Sequence, residues 1–114
     1  MTFLPLRPGL ILLTVMFLSA CSEQSATVAT PPHLEGAKAK AIQLCAGCHG
    51  PTGIGTAPFN PNLACQKKEY MVKQLNDYRN GKRSNHLPMV NIAKLLSEEE
   101  VEAVSEWYSI TGCP

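Results

Sequence analysis

Aromatic residues make up 6% of the chain, and neither sign of charge is in excess: ten Lys and Arg stand against nine Asp and Glu, a formal net charge of +1 in 114 residues. A near-neutral chain lacks the basic surface through which proteins hold nucleic acid, so that class of partner is excluded. No hydrophobic run is long enough to stay in a bilayer. The longest, Gly9 to Ala20, is about 12 residues, against the roughly 20 that an α-helix needs to span the hydrocarbon core. There is no internal repeat, no second Cys-x-x-Cys and no His-x-His. What the chain does have is 45% hydrophobic and 17% charged residues, the balance of one ordinary globular domain. It also has five cysteines, an odd number whose positions need separate explanations.

The short apolar run is laid out as a secretory signal, with Arg7 ahead of it and the small residues Ser19 and Ala20 behind it. Leu18-Ser19-Ala20-Cys21 resembles the bacterial lipobox, in which the signal is cut before the cysteine and the sulfur takes a diacylglycerol. Cys21 is thus the expected lipid anchor, and several acyl chains on one residue are enough for stable attachment without a spanning helix. Ser22 follows where an inner-membrane retention signal would place Asp, which leans toward the outer membrane. Residues 22–33 are Ser-, Thr-, Ala- and Pro-rich and end the tether in Pro31-Pro32. The expected organisation is a signal over 1–20, a lipid-anchored flexible tether over 21–33 and a folded domain over 34–114. A domain of that size has a thin core and needs a disulfide, metal or cofactor to supplement it.

The domain opens on a segment rich in helix formers that ends in Cys45-Ala46-Gly47-Cys48-His49. Cys-x-x-Cys-His is the attachment motif of c-type haem. Two thiols one helical turn apart reach the two vinyl groups of one porphyrin edge, and the adjacent imidazole supplies an axial ligand to the iron. A thioredoxin-like redox pair would need a βαβ context, and no strand-period segment surrounds the motif. A zinc site would need a second pair of ligands. Export is also the context in which such haem ligation is completed.

From here the chain resembles the bacterial class I cytochromes c, over nearly all of Leu34 to Thr111. His49-Gly50-Pro51-Thr52-Gly53-Ile54-Gly55 is similar to the family's glycine-punctuated loop, and Pro61-Asn62-Leu63 to its Pro-x-Leu. The resemblance implies that the Pro61 carbonyl accepts the Nδ1 proton of His49 and so orients the ring. It implies an all-α fold, three to four helices wrapped around one covalently bound haem c. Tyr70 to Leu75 and Tyr78 to Arg83 are similar to the segment before the distal ligand, on a helix from about Lys67 to Arg79 that stops at Gly81. Tyr70, Gln74 or Leu75, and Tyr78 form its expected buried stripe.

Four residues are candidates for the sixth iron position: Met71, Met89, His33 and His86. Met71 lies inside a helix, where methionine packs, and His33 lies in the tether. Met89 follows Pro88 in a short loop, and Met89-Val90-Asn91-Ile92-Ala93 matches the family's Met-x-x-Ile/Leu-Ala, so the resemblance assigns Met89. Thioether ligation favours Fe(II) and implies an oxidising carrier, whereas His86 would give a bis-imidazole haem of lower potential. The last helix is marked by Ser97 and Glu100 as a capping box, Leu96 and Val101 as a staple, and Val101, Val104 and Trp107 or Tyr108 as its stripe. By resemblance it crosses the first helix through Ala37 and Ala41. Lys67, Lys68, Lys73, Arg79, Lys82 and Arg83 lie in the middle of the domain and Glu98, Glu99, Glu100, Glu102 and Glu106 in the last helix, so a dipolar molecule is expected.

Cys65 and Cys113 are left over. They can pair in an oxidising compartment or remain two thiols, and a bridge closing so long a loop would stabilise by roughly 4 kcal/mol in the chain-entropy model. Cys65 stands where similar cytochromes have Gly. The expected function is a monomeric, membrane-tethered, one-electron carrier on the periplasmic side, exchanging electrons with redox proteins and transforming no substrate. The rivals are a gas-binding or sensory haem module, a peroxidase-like enzyme relying on His86, and a non-catalytic haem subunit of a larger oxidoreductase.

Overall fold

Pro31 and Pro32 lock the chain into a turn that leads straight into helix. A computed structural model describes residues 29–114; the signal segment 1–20, the anchor Cys21 and the tether as far as residue 28 lie outside the described residues. After a 3-10 turn at Pro32–Leu34, the order is α1 Glu35–Leu44, α2 Ala46–His49, α3 Lys68–Arg79, α4 Leu87–Lys94 and α5 Glu98–Ile110, with no strand among the described residues. The fold is the all-α cytochrome c arrangement that the resemblance implies.

α5 lies against α1 and α3, and α4 lies against α3. Two clusters fill the spaces between them. Ala37 and Ala41 of α1 meet Val104, Trp107 and Tyr108 of α5, with Leu34 and Met71 completing the first cluster. Small residues on α1 let the two helices approach closely, so the aromatic pair of α5 fills the crossing rather than being pushed off it. Trp107 and Tyr108 stack edge to face at 4.7 Å between centroids. The second cluster is Leu75, Tyr78, Val90, Ala93, Leu96 and Val101, joining α3, α4 and the start of α5. Each large apolar side chain so buried contributes roughly 1.5–3 kcal/mol.

Local signals account for the start of α5. The Ser97 hydroxyl accepts from the Glu100 amide at 3.1 Å, and the Glu100 carboxylate accepts from the Ser97 amide at 2.9 Å. Leu96 and Val101 share the second cluster, as a staple requires.

Four expectations are corrected. Met89 lies in the first turn of a helix, not in a loop. Pro88 suits that place, because its fixed φ is helical and its missing N–H is one the first turn leaves unpaired anyway. The stripe of α3 is Met71, Leu75 and Tyr78, so Leu75 and Tyr78 are buried as expected but Met71 takes the place given to Tyr70: Tyr70 is 51% exposed and Met71 6%. The end of the expected tether is docked on α5, where Trp107 Nε1 donates to Thr30 Oγ1 at 3.5 Å and His33 Nε2 lies 3.2 Å from Glu106 Oε1. The charges also do not separate cleanly, because Lys68 reaches across from α3 to Glu102 at 3.3 Å and Glu106 at 2.9 Å, and Lys40 of α1 meets Glu100 at 2.9 Å.

Two outcomes follow from α5. Ser97→Ala removes the N-cap acceptor and is expected to lower the unfolding free energy by about 1 kcal/mol in urea titration. Lys40 and the Ser97 amide hold the Glu100 carboxyl below its ordinary 4.5, and Lys68 and His33 do the same for Glu106. A carboxyl more acidic when folded stabilises fully above its unfolded value, and that stabilisation is lost as pH falls through the depressed folded value. Stability is therefore expected to fall below pH 4.5, and less steeply in Glu100→Gln and Glu106→Gln; an unchanged slope in thermal melts between pH 5 and pH 3 would rule this out.

Candidate functional site

The helical path of α1 is offset at Cys45, whose amide still bonds the Ala41 carbonyl at 2.8 Å, and α2 carries the rest of the Cys-x-x-Cys-His motif. Cys45 is half-buried and packs against the first cluster, while Cys48 is exposed; neither is in a disulfide. Burial pushes the Cys45 thiol up, against a smaller opposite pull from the Tyr108 hydroxyl. The Tyr108 phenol is itself raised, chiefly by desolvation.

His49 is only 7% exposed. Its Nδ1 lies 2.7 Å from the Pro61 carbonyl oxygen. A carbonyl can only accept, so Nδ1 carries a proton, and in the neutral ring Nε2 keeps a free lone pair. That is the tautomer of a metal ligand, with the other ring nitrogen oriented by a hydrogen bond.

The loop that carries Pro61 back to His49 is held at defined points. Gly50 turns the chain at φ +76, and a Cβ there would lie 2.1 Å from the Ile54 carbonyl oxygen. The Thr56 amide and hydroxyl both donate to the Cys48 carbonyl at 3.0 Å, satisfying an acceptor at the end of α2. Asn62 Oδ1 accepts from the Gly55 amide at 2.8 Å. The Gly53 carbonyl accepts from both Leu63 and Ala64, at 2.7 and 3.0 Å. Gly53 has φ +79, and a Cβ there would lie 2.8 Å from the Ala64 nitrogen and 3.1 Å from the Tyr108 ring. Sequence reasoning found the glycines but missed Thr56, Asn62 and Tyr108. Their partners are set by loop closure, and no spacing rule marks them.

Met89 is half-buried and packs against the second cluster, as does Leu44, the residue before Cys45. The distal candidate and the motif thus border one core. Among the other candidates, Met71 is buried beside Leu34 and Trp107, His33 pairs with Glu106, and exposed His86 is the N-cap residue of α4, its carbonyl accepting from Met89 and Val90. Cys65 and Cys113 are joined by a disulfide with Cα atoms 4.9 Å apart.

Among the described residues no three His, Cys, Asp or Glu side chains gather as a bare metal site would require. The donor set instead fits a haem: two unpaired thiols one turn apart and one buried imidazole with its proton held away from Nε2. Apolar side chains also stand uncovered on the segments that carry the candidate ligands, Ile54 and Phe59 on the loop and Leu87 beside Met89. An open hollow of about 490 Å³ borders the loop at Gly55, Pro58 and Pro61.

The cytochrome c family model matches residues 34–108. This chain belongs to the cytochrome c family, in its class I form, and carries a covalently attached haem c. Among its relatives, the thiosulfate dehydrogenase electron acceptor of Stutzerimonas stutzeri (strain A1501) is 39% identical over 93 residues, 80% of this chain and 43% of that protein. Cytochrome c4 of Azotobacter vinelandii is 38% identical over 76 residues, 63% of this chain and 36% of that protein. Cytochrome c-554(548) of Halomonas halodenitrificans is 37% identical over 70 residues, 60% of this chain and 84% of that protein. The crystal structure of reduced recombinant cytochrome c4 from Pseudomonas stutzeri superposes with a TM-score of 0.61 at 30% identity, covering 72% of this chain and 50% of that one. The chain thus spans less than half the length of the first two relatives.

Gly53→Ala is expected to destabilise the domain by roughly 2–3 kcal/mol, because it adds a disfavoured backbone conformation to a clash with backbone and ring. Gly36→Ala, where an added Cβ meets nothing within 4 Å, is the control and is expected to be neutral or slightly stabilising in the same chemical denaturation experiment.

Proposed function

We propose that the protein is a membrane-tethered monohaem electron carrier. Cys45 and Cys48 are the thioether anchors, His49 and Met89 the axial ligands, and Pro61 the orienting partner of His49. The observation that carries this reading is the buried His49 ring with Nδ1 at 2.7 Å from the Pro61 carbonyl, beside two unpaired thiols and a loop tied down by hydrogen bonds. A bound haem would supply a single Fe(III)/Fe(II) couple. The chain's own contribution is to keep that couple reversible. His49 is held in one tautomer, so ligand rearrangement need not accompany electron transfer. Met89 offers a soft, neutral sulfur that favours the reduced state. Packing of Met89 against the second cluster limits its departure, which supports electron transfer over catalysis.

The proposed organisation is a signal over 1–20, acylation at Cys21, a tether over 21–33 and the haem domain over 34–114. Among the described residues no helix is long and apolar enough to cross a membrane; the proposed attachment is through Cys21, on the periplasmic side. A tether raises the effective concentration of donor and acceptor without adding a contact. The end of that tether, at Thr30 and His33, docks on α5. The partners are redox proteins, and the relatives named as electron acceptors of thiosulfate dehydrogenase support a dehydrogenase as the class of donor.

The test is the visible spectrum of protein matured by a host that attaches haem c. A low-spin spectrum with the far-red charge-transfer band of methionine on ferric iron is expected, with that band lost in Met89→Ala and kept in Met71→Leu and His86→Ala. A high-spin spectrum that binds carbon monoxide readily at neutral pH would replace the carrier with a gas-binding haem module. For the anchor, Cys21→Ser is expected to release the protein from the membrane fraction.

A further inference from the structure

The segment that presents Pro61 to His49 is tied to the far end of α5 by contacts that the electron-carrier reading does not use. On its inner side the Leu63 and Ala64 amides bond the Gly53 carbonyl. One residue later the Cys65 amide donates to the carbonyls of Tyr108 at 2.9 Å and Thr111 at 2.8 Å at the C-terminus of α5, where the Tyr108 carbonyl also accepts from the Thr111 amide at 3.3 Å. Cys65 sits at φ +56, the single non-glycine residue with positive φ among the described residues. An L-residue keeps that conformation only where its surroundings over-determine it, and the disulfide to Cys113 supplies part of that constraint. Just three residues separate Pro61 from Cys65, so whatever holds Cys65 also limits how far the Pro61 carbonyl can move.

We propose that the Cys65–Cys113 bridge is a positioning device for His49: it pins the 61–65 segment to the end of α5 and so keeps the Pro61 carbonyl on the Nδ1 proton. The inference rests on the reading of His49 as an axial ligand. The Nδ1–H···O=C bond raises the basicity of the ring and so favours Fe(III). Without the bridge the segment opens more often, the hydrogen bond weakens on average, and the reduced state gains. The four backbone hydrogen bonds to Gly53, Tyr108 and Thr111 remain, so the fold is kept while the ligand's partner loosens.

The experiment uses the holoprotein in three forms: wild type, Cys65→Gly/Cys113→Ser, and wild type treated with a dithiol and alkylated. In the double variant Gly accepts the positive φ, so loss of the bridge is not compounded by strain. In the treated protein the dithiol gives up two electrons and two protons to the bridge, leaving two thiols at Cys65 and Cys113 and an oxidised dithiol. Two quantities are read: the exchange rate of the His49 Nδ1 proton by NMR in the reduced state, and the midpoint potential. Both bridge-free forms are expected to keep a low-spin spectrum, to exchange that proton about tenfold faster, the factor that matches loss of one ordinary hydrogen bond, and to show a higher potential. Unchanged exchange and potential beside an unchanged low-spin spectrum would overturn the proposal and leave the carrier reading standing. A wild-type spectrum without histidine ligation would overturn that reading and the proposal with it.

Discussion

A histidine offers a lone pair to a metal only through a nitrogen that carries no proton, and a buried ring must still find a partner for the nitrogen that does. In this chain both conditions are met by one hydrogen bond, from His49 Nδ1 to the Pro61 carbonyl. Much of the irregular structure is arranged around that bond. Proline has no N–H to offer, so at Pro61 the backbone presents an acceptor alone. Carrying it back to His49 requires the tight turns at Gly50 and Gly53 and the anchoring of the loop through Thr56 and Asn62. The segment from 50 to 67 therefore has no regular secondary structure to speak of, yet few of its backbone positions are free to choose.

The helices supply the frame on which this loop is stretched. α1 delivers the Cys-x-x-Cys-His turn, and α5 receives both the segment ahead of α1, at Thr30 and His33, and the end of the loop, at Cys65. Tyr108 is where these meet: it packs in the first cluster, lies under Gly53, and gives its carbonyl to Cys65. The ion pairs of Lys68 and Lys40 with α5 are largely exposed and add little to stability individually.

How much could be read before folding depends on the range of the rule involved. The Cys-x-x-Cys-His motif, the capping box of Ser97 and Glu100 and the stripe Val101, Val104, Trp107 and Tyr108 are all settled within a few turns of chain, and each has a spacing that physical chemistry dictates. α4 was hidden because a proline in a short segment signals a break as readily as a helix start, and only packing of Val90 and Ala93 against α3 and α5 decides between them. The first buried position of α3 was ambiguous for the same reason: Tyr70 and Met71 are neighbours that can each pack, and the first cluster takes the more pliable methionine.

By itself the sequence determined the class of the domain and its helical character, and it supplied the residues proposed to bind the haem, because thiol spacing, capping and periodicity are local and obey fixed geometry. Tertiary structure alone decided that α3 buries Met71 and not Tyr70, that residues 87–94 form a helix, that the tether's end docks on α5, and that Cys65 meets Cys113 beside the segment carrying Pro61. Those outcomes depend on competition between surfaces far apart in the chain, and no local pattern records which surface wins.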